Sequence, residues 1–133
     1  MAIGSIDPKV ISLRKFFREE APNLRIPSIQ RQWVWDAEDV KELIDSIING
    51  YPIGAVIIWE PNSKFPSAPL VGKDGKSIIS RYVLDGQQRL TALVLIKNGW
   101  KIVRGSKLIT TSPISFVPEN GKLYLSERKG IDV

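Results

Sequence analysis

The fold of this chain is decided by the stretch RYVLDGQQRLTALVLI, residues 81–96. A short apolar run ends at the Asp85-Gly86 step, and apolar side chains then recur at helical spacing until Asn98-Gly99. The pattern predicts a strand, a tight turn and a helix. Such a helix would aim its first free backbone N–H groups, and the positive end of its dipole, at whatever lies beside the turn. The sequence therefore predicts an anion cradle at this turn.

Arg89 is the residue that favours this interpretation most. It falls in the first turn of the predicted helix, where a cation is disfavoured by roughly 0.3–1 kcal/mol, and no acidic residue follows it within the helix. A bound anion explains such an arginine better than helix stability does. The alternative is that Asp85 caps the helix, Gly86 makes the turn, and Gln87, Gln88 and Arg89 are solvated. The pattern alone leaves both interpretations open.

The composition narrows the chemistry that the chain can perform. Its 133 residues, 43% of them hydrophobic, suffice for one domain with a core, and we expect a single domain over 1–133. The chain has no cysteine and no histidine, which excludes disulfides, thiolate metal sites and catalytic triads built on either residue. It contains neither an apolar run of about 18–20 residues nor a signal-peptide pattern, so we expect a cytoplasmic protein with no membrane partner.

The net charge of +5 is unevenly distributed along the chain. Residues 97–133 hold seven Lys or Arg against three Asp or Glu, so +4 of the surplus lies there. This distribution mildly favours a polyanionic partner such as DNA. The alternative is a solvated basic end that keeps a small domain soluble.

Two further helices are indicated by periodicity and by helix signals. Apolar positions from Val10 to about Glu20 predict a short amphipathic helix. The second helix begins after a favoured N-cap residue, Asp36, and ends before Gly50. We interpret the carboxylates of its first turn as helix-stabilising groups rather than catalysts.

The strands nearest the 81–96 stretch are predicted from apolar runs rich in β-branched residues. The run 53–59 suits a central strand that is buried on both faces. Residues 61–77 form a loop, and its 72–76 portion is expected to turn a hairpin into a strand at 78–84.

Shorter strands are expected elsewhere. A brief extended segment precedes Pro27, which ends it or confines it to an edge. Residues 100–103 fit a short strand or the edge of the helix packing. Asn120-Gly121 separates the alternating segments 114–117 and 123–125, and this is a strong hairpin signal.

The loop 26–35 carries an unusual set of side chains. Trp33 and Trp35 follow a Gln30-Arg31 pair, and tryptophan has a large apolar area to bury. One interpretation places Gln30 and Arg31 on a ligand. The other has the tryptophans seal the core while Arg31 stacks on a ring or pairs with an acid. The sequence leaves these two alternatives open.

Three motifs occur in order along the chain, and together they resemble a known family. They are Ile26-Pro27-x-x-Gln30-Arg31-x-x-Val34-Trp35, Tyr51-Pro52-Ile53-Gly54 and Leu84-Asp85-Gly86-Gln87-Gln88-Arg89-x-Thr91-x-Leu93. Over residues 10–98 the chain resembles the DUF262 family, which looks like the N-terminal part of GmrSD-type modification-dependent restriction enzymes and of related phage-defence proteins. The resemblance implies an α+β fold of the ParB/sulfiredoxin type, a small mixed sheet with packed helices. In that fold type, a strand, a loop and a helix ending in Gly-x-x-Arg hold nucleotide phosphates.

The resemblance also implies a nucleoside triphosphate (NTP) and Mg²⁺ as ligands, and a GTPase-like hydrolysis of the nucleotide. It further implies roles for individual residues. Phosphate or nucleotide contacts are expected from Gln30, Arg31, Gly86, Arg89 and Thr91. Catalytic roles are expected from Asp85, Gln87 and Gln88. In this scheme Asp85 holds Mg²⁺ or a water, and one of the two glutamines orients the attacking water.

Restriction-type members of the family often carry a C-terminal His-Asn-His nuclease domain. This chain has no histidine, so we expect it to be a fragment or a minimal relative that works with a nuclease domain or subunit absent from it. Three hypotheses follow: an NTP-binding regulatory domain of a defence system, a ParB-like DNA-binding module without NTPase activity, or a structural interaction domain.

Overall fold

The computed structural model describes residues 10–28, 32–75, 81–117 and 122–125. The Gln30-Arg31 pair and the Asn120-Gly121 turn lie outside these ranges. The helical elements are α1 (Leu13–Lys15), which continues as a π-helix (Phe16–Glu20) and a 3-10 turn (Ala21–Asn23), α2 (Ala37–Ile48) and α3 (Gln87–Lys97). The strands are β1 (Leu24–Pro27), β2 (Ile57–Trp59), β3 (Ser67–Pro69), β4 (Arg81–Asp85), β5 (Lys101–Arg104), β6 (Lys107–Thr110), β7 (Ile114–Val117) and β8 (Lys122–Leu125).

Four strands form a mixed sheet in the order β2-β4-β1-β3. β1 and β4 are parallel, while β2 pairs with β4 and β3 pairs with β1 in antiparallel fashion. Two separate hairpins, β5-β6 and β7-β8, complete the described strands. The prediction of an α+β fold with a small mixed sheet and packed helices is confirmed.

Helix α3 lies at the centre of the core. Seven of its eleven residues are buried, including an unbroken run from Leu90 to Leu95. A helix that is buried on nearly all of its faces must be packed against other elements on several sides. The core around α3 includes apolar side chains of β1, α2, β4 and β5, namely Leu24, Ile26, Val40, Leu43, Val83 and Ile102.

Helix α2 confirms the helix predicted after Asp36. The Asp36 carboxylate accepts from the backbone N–H of Asp39 at 2.9 Å, and the Asp39 carboxylate accepts from the N–H of Asp36 at 3.0 Å. This reciprocal capping box satisfies two backbone donors, and an N-cap of this kind stabilises by about 0.5–2 kcal/mol. Val40 and Leu43 are buried on the opposite side of the helix from solvent.

The prediction of a central strand over 53–59 is wrong. Only Ile57–Trp59 forms a strand, it lies at the edge of the sheet, and its three side chains are 37–54% exposed. Gly54 has a φ of +96°, a left-handed conformation that interrupts any extended run. Ile53 and Val56 instead pack against the core from a loop. The apolar run therefore supplies loop contacts as well as an edge strand.

The prediction of a hairpin into β4 is also wrong for the residues that the structure describes. β3 pairs with β1 rather than with β4, because β1 lies between them in the sheet. The long connection lets β4 reach the far side of β1 and pair with it in parallel. Pro27 is the last residue of β1, where its missing N–H costs the ladder least.

The predicted strand at 100–103 is present as β5, and β7 pairs with β8 in antiparallel fashion, as predicted for the segments 114–117 and 123–125. The β5-β6 hairpin docks on the loop after β3. There the N–H of Gly72 donates to the Val103 carbonyl at 2.6 Å, and the N–H of Gly105 donates to the Gly72 carbonyl at 2.8 Å. Within the described part of the chain, no helix has the length and apolar character needed to cross a membrane.

Candidate functional site

The site is built around the first turn of α3. Gly86 is its N-cap residue, with φ +92° and ψ +15°, and no side chain caps the helix. The first turn contains no acidic residue, whereas Arg89 is its third residue. The proposed alternative in which Asp85 caps this helix is therefore wrong. An uncapped helix start of this kind presents backbone donors and positive dipole to its surroundings.

Gly86 serves two structural purposes at this turn. Its positive φ is a conformation that residues with a Cβ rarely adopt. In addition, a Cβ at this position would lie 2.9 Å from Cγ2 of Val56. The space that a Cβ would fill at Gly86 is thus occupied, in this structure, by the loop that precedes β2.

Arg89 contacts the same loop. Its Nη1 donates to the carbonyl oxygen of Ala55 at 2.9 Å. Its guanidinium lies against Gly54, where a Cβ would be 3.0 Å from the Arg89 Cζ atom. The last residue of the Tyr51-Pro52-Ile53-Gly54 motif thus lies directly against the Arg89 guanidinium, which would have to shift by a few tenths of an ångström to admit a Cβ.

Gln88 contacts the other motif-bearing loop. Its Oε1 accepts from the backbone N–H groups of Val34 at 3.0 Å and Trp35 at 3.3 Å, and its Nε2 donates to the Gln32 carbonyl at 2.9 Å. These three backbone groups lie 53 to 56 positions away in the sequence. Trp33 and Trp35 are partly buried against the core, with ring centroids 6.2 Å apart, as the core-sealing interpretation of these tryptophans expects.

Two further predicted site residues point into the protein. The buried Gln87 donates from Nε2 to the carbonyl of Val83 at 2.9 Å. Thr91 is 2% exposed, and its hydroxyl accepts from Nη2 of Arg104 at 2.7 Å. Direct contacts of these two side chains with a ligand stay predictions.

Arg104 is a buried cation that the sequence reasoning missed. It is 8% exposed, and its Nε also donates to the Leu70 carbonyl at 3.0 Å. Desolvation by burial lowers the pKa of Arg104 to about 10, so the guanidinium remains charged at neutral pH. Its position in β5 follows from strand alternation, since Arg104 shares a face with the buried Ile102.

Asp85 is exposed at the end of β4, opposite Ile57 in the sheet register. Among the residues that the structure describes, no three acidic side chains come together to form a metal cluster. A single exposed carboxylate does fit the way proteins hold Mg²⁺ together with substrate phosphates, through one or two carboxylates and several waters. It does not fit a cage that would hold Mg²⁺ by protein ligands alone.

The start of α3 thus joins parts of all three sequence motifs. Gln88 reaches the 32–35 segment, while Gly86 and Arg89 reach the 54–56 segment. The carbonyl of Ala55 and the side chain of Val56 were not anticipated. The signal that could have found them is Gly54, because an isolated glycine within a strand-like run often marks a close backbone approach.

Comparison with known proteins agrees with this assembly of motifs. A sequence model of the N-terminal domain of the GmrSD restriction endonuclease matches residues 13–130, a range that contains all three motifs. An uncharacterized protein of Methanocaldococcus jannaschii is 35% identical over 77 residues, which is 51% of this chain. The chain spans 13% of the length of that archaeal protein. No solved structure matches the chain.

The family match covers most of the chain and confirms the resemblance drawn from the motifs. The chain therefore belongs to the family of the GmrSD restriction endonuclease N-terminal domain.

Proposed function

We propose that this domain binds a nucleoside triphosphate at the start of α3 and acts as a nucleotide-responsive regulatory domain of a modification-dependent restriction system. The nuclease would then reside on a domain or subunit outside this chain. Family membership supports the restriction role. The anion site is inferred from the geometry at the start of α3, and the nucleotide from the family resemblance.

The observation that carries the proposal is the placement of Arg89. It stands in an uncapped first helical turn that has no acidic residue, and Gly54 and Ala55 orient its guanidinium. A guanidinium has five N–H donors, so the same side chain can hold the Ala55 carbonyl and still donate to a phosphate. The backbone N–H groups at the start of α3 supply further donors for an anion.

The remaining roles follow from position. Gly86 and the backbone amides of Gln87 and Gln88 would cradle a phosphate, and Arg31 would join Arg89 in neutralising its charge. Gln30 and Thr91 would complete the nucleotide contacts. Asp85 would hold Mg²⁺ jointly with the phosphates or hold a water, and bound Mg²⁺ would supply charge neutralisation at the phosphates. Hydrolysis would need a water-orienting group, for which Gln87 is the candidate on this helix.

Isothermal titration calorimetry with GTP, ATP and UTP in Mg²⁺ tests the proposal. We expect at least one nucleotide to bind, and Arg89→Ala to weaken it by about tenfold or more, since a hydrogen bond to a charged group contributes about 1.5–3 kcal/mol. Arg14→Ala is the matched control, because it removes the same charge from an exposed position on α1. Equal affinities for the unaltered domain and Arg89→Ala would refute the cradle at the start of α3.

The second candidate is a ParB-like DNA-binding module that uses the cradle or the basic C-terminal part for the phosphodiester backbone. It is favoured by the net charge of +5 and by the exposed Lys101 and Lys107 on the β5-β6 hairpin. Its test is a duplex DNA titration at increasing salt. DNA binding that weakens steeply with salt, with no nucleotide binding, would replace the first candidate by the second.

A further inference from the structure

Gln88 has the side chain with the most complete set of contacts at the start of α3. Its amide oxygen accepts from two backbone N–H groups, those of Val34 and Trp35, and its amide nitrogen donates to the carbonyl of Gln32. An amide oxygen has two lone pairs, so both acceptor positions are in use. The orientation of the amide is also determined, because two donors face one end and an acceptor faces the other.

This arrangement bears on the catalytic role implied for Gln88. A glutamine that orients an attacking water uses its carbonyl oxygen to accept a hydrogen bond from that water. The oxygen of Gln88 is already shared by Val34 and Trp35, at 3.0 and 3.3 Å. The geometry therefore favours another role for this residue.

The segment 32–35 has no strand partner of its own in the structure, since it belongs to neither a helix nor a strand. On one side, the rings of Trp33 and Trp35 pack against the core, while the Val34 side chain is 56% exposed. On the backbone side, Gln88 supplies the donor and acceptor that a neighbouring strand would otherwise supply. The segment directly follows the Gln30-Arg31 pair in the sequence.

We propose that Gln88 is a positioning residue, which holds the 32–35 backbone against the first turn of α3 and does not itself contact nucleotide or the attacking water. The proposal rests on the proposed function for the identity of the ligand, but the positioning itself can be measured without any ligand. In this proposal Gln88 has the structural role of joining two motifs. Arg89 and the backbone amides at the start of α3 contact the phosphate.

Amide hydrogen exchange, followed by NMR on the ligand-free domain, tests the positioning directly. In Gln88→Met, which keeps the length of the side chain and removes its hydrogen bonds, we expect protection at the Val34 and Trp35 amides to fall by about tenfold or more. Gln88→Glu keeps an acceptor oxygen for Val34 and Trp35 but places its second oxygen against the Gln32 carbonyl, so protection should fall by less than in Gln88→Met. It also provides a second folded variant should Gln88→Met fail to fold.

Gln32→Met is the matched control, because it makes the same substitution within the segment and leaves the Gln32 backbone carbonyl in place. The exposed Gln32 side chain takes no part in the three hydrogen bonds, so protection at Val34 and Trp35 should not change. Unchanged protection in Gln88→Met, or an equal loss in Gln32→Met, would overturn the proposal.

A binding measurement then connects positioning to function. If a nucleotide binds the unaltered domain, its affinity should fall by about tenfold in Gln88→Met and stay within about threefold in Gln32→Met. Lost protection with unchanged nucleotide affinity would overturn the functional part of the proposal. Failure of every nucleotide to bind the unaltered domain would refute the proposed function, whereas the exchange data would still decide whether Gln88 positions the segment.

Discussion

The guanidinium of Arg89 lies on the backbone of Gly54, and its Nη1 donates to the carbonyl of the next residue, Ala55, at 2.9 Å. A Cβ at Gly54 would be 3.0 Å from Cζ of Arg89. The absence of a side chain at Gly54 thus determines where the positive charge at the start of α3 is held. This pairing links the second motif of the sequence to the third.

Gly54→Ala tests this pairing. The substitution should cost about 1–2 kcal/mol of stability through its positive φ, and it should displace the flexible Arg89 side chain by a few tenths of an ångström. Gly72→Ala is the matched control, since Gly72 has φ +98° and an added Cβ there would meet nothing within 4 Å. We expect similar losses of stability in urea unfolding, but weaker nucleotide binding only in Gly54→Ala. Equal affinities in the two variants would contradict the importance of the pairing.

Gly86→Ala should be more damaging, because both its conformation and its surroundings exclude a side chain. Its φ is +92°, and the added Cβ would lie 2.9 Å from Cγ2 of Val56. Val56 is half-buried, and its short β-branched side chain cannot move aside as freely as the end of an arginine. We expect a loss of about 2–3 kcal/mol in the free energy of unfolding. Val56→Ala removes the contacting methyl group, so the double variant should lose about 1 kcal/mol less than the sum of the single variants. Strict additivity would show that the contact with Val56 does not matter.

Arg89→Ala should change stability little, in contrast to its effect on ligand binding. Removing a cation from the first helical turn should raise the free energy of unfolding by about 0.3–1 kcal/mol, because the cation lies at the positive end of the helix dipole. Losing the hydrogen bond to the Ala55 carbonyl should lower the free energy of unfolding, because such a bond contributes about 0.5–1.5 kcal/mol. We expect a net change within about 1 kcal/mol, measured by urea unfolding. A loss of several kcal/mol would identify Arg89 as mainly structural.

Thr91 and Arg104 form a buried pair whose energies should be coupled. Thr91→Val leaves a buried guanidinium donor without its acceptor and should cost about 1.5–3 kcal/mol. Arg104→Met leaves the Thr91 hydroxyl and the Leu70 carbonyl without their donor and should cost about 1–3 kcal/mol. The double variant should lose less than the sum, by about 1 kcal/mol. Independent effects in this double-mutant cycle would show that the 2.7 Å contact contributes little.

Much of the local structure could be predicted because its determinants are close together in the sequence. The capping box of α2 joins Asp36 to Asp39, and the turn into α3 depends on Gly86 alone. The β7-β8 hairpin followed from alternation around a short turn. The three motifs also identified the family, since their order and residue types are properties of the chain itself.

The sequence by itself therefore determined the helices, the turn that begins α3, the last hairpin and the family. Only the tertiary structure decided that the 53–59 run becomes a loop and an edge strand, that Gly54 accommodates Arg89, and that Gln88 binds the backbone of 32–35. The physical reason is that local periodicity shows which side chains share a face, whereas sheet order and side-chain partners depend on residues up to 56 positions away. Local periodicity likewise does not show that the buried Thr91 hydroxyl accepts a hydrogen bond from Arg104.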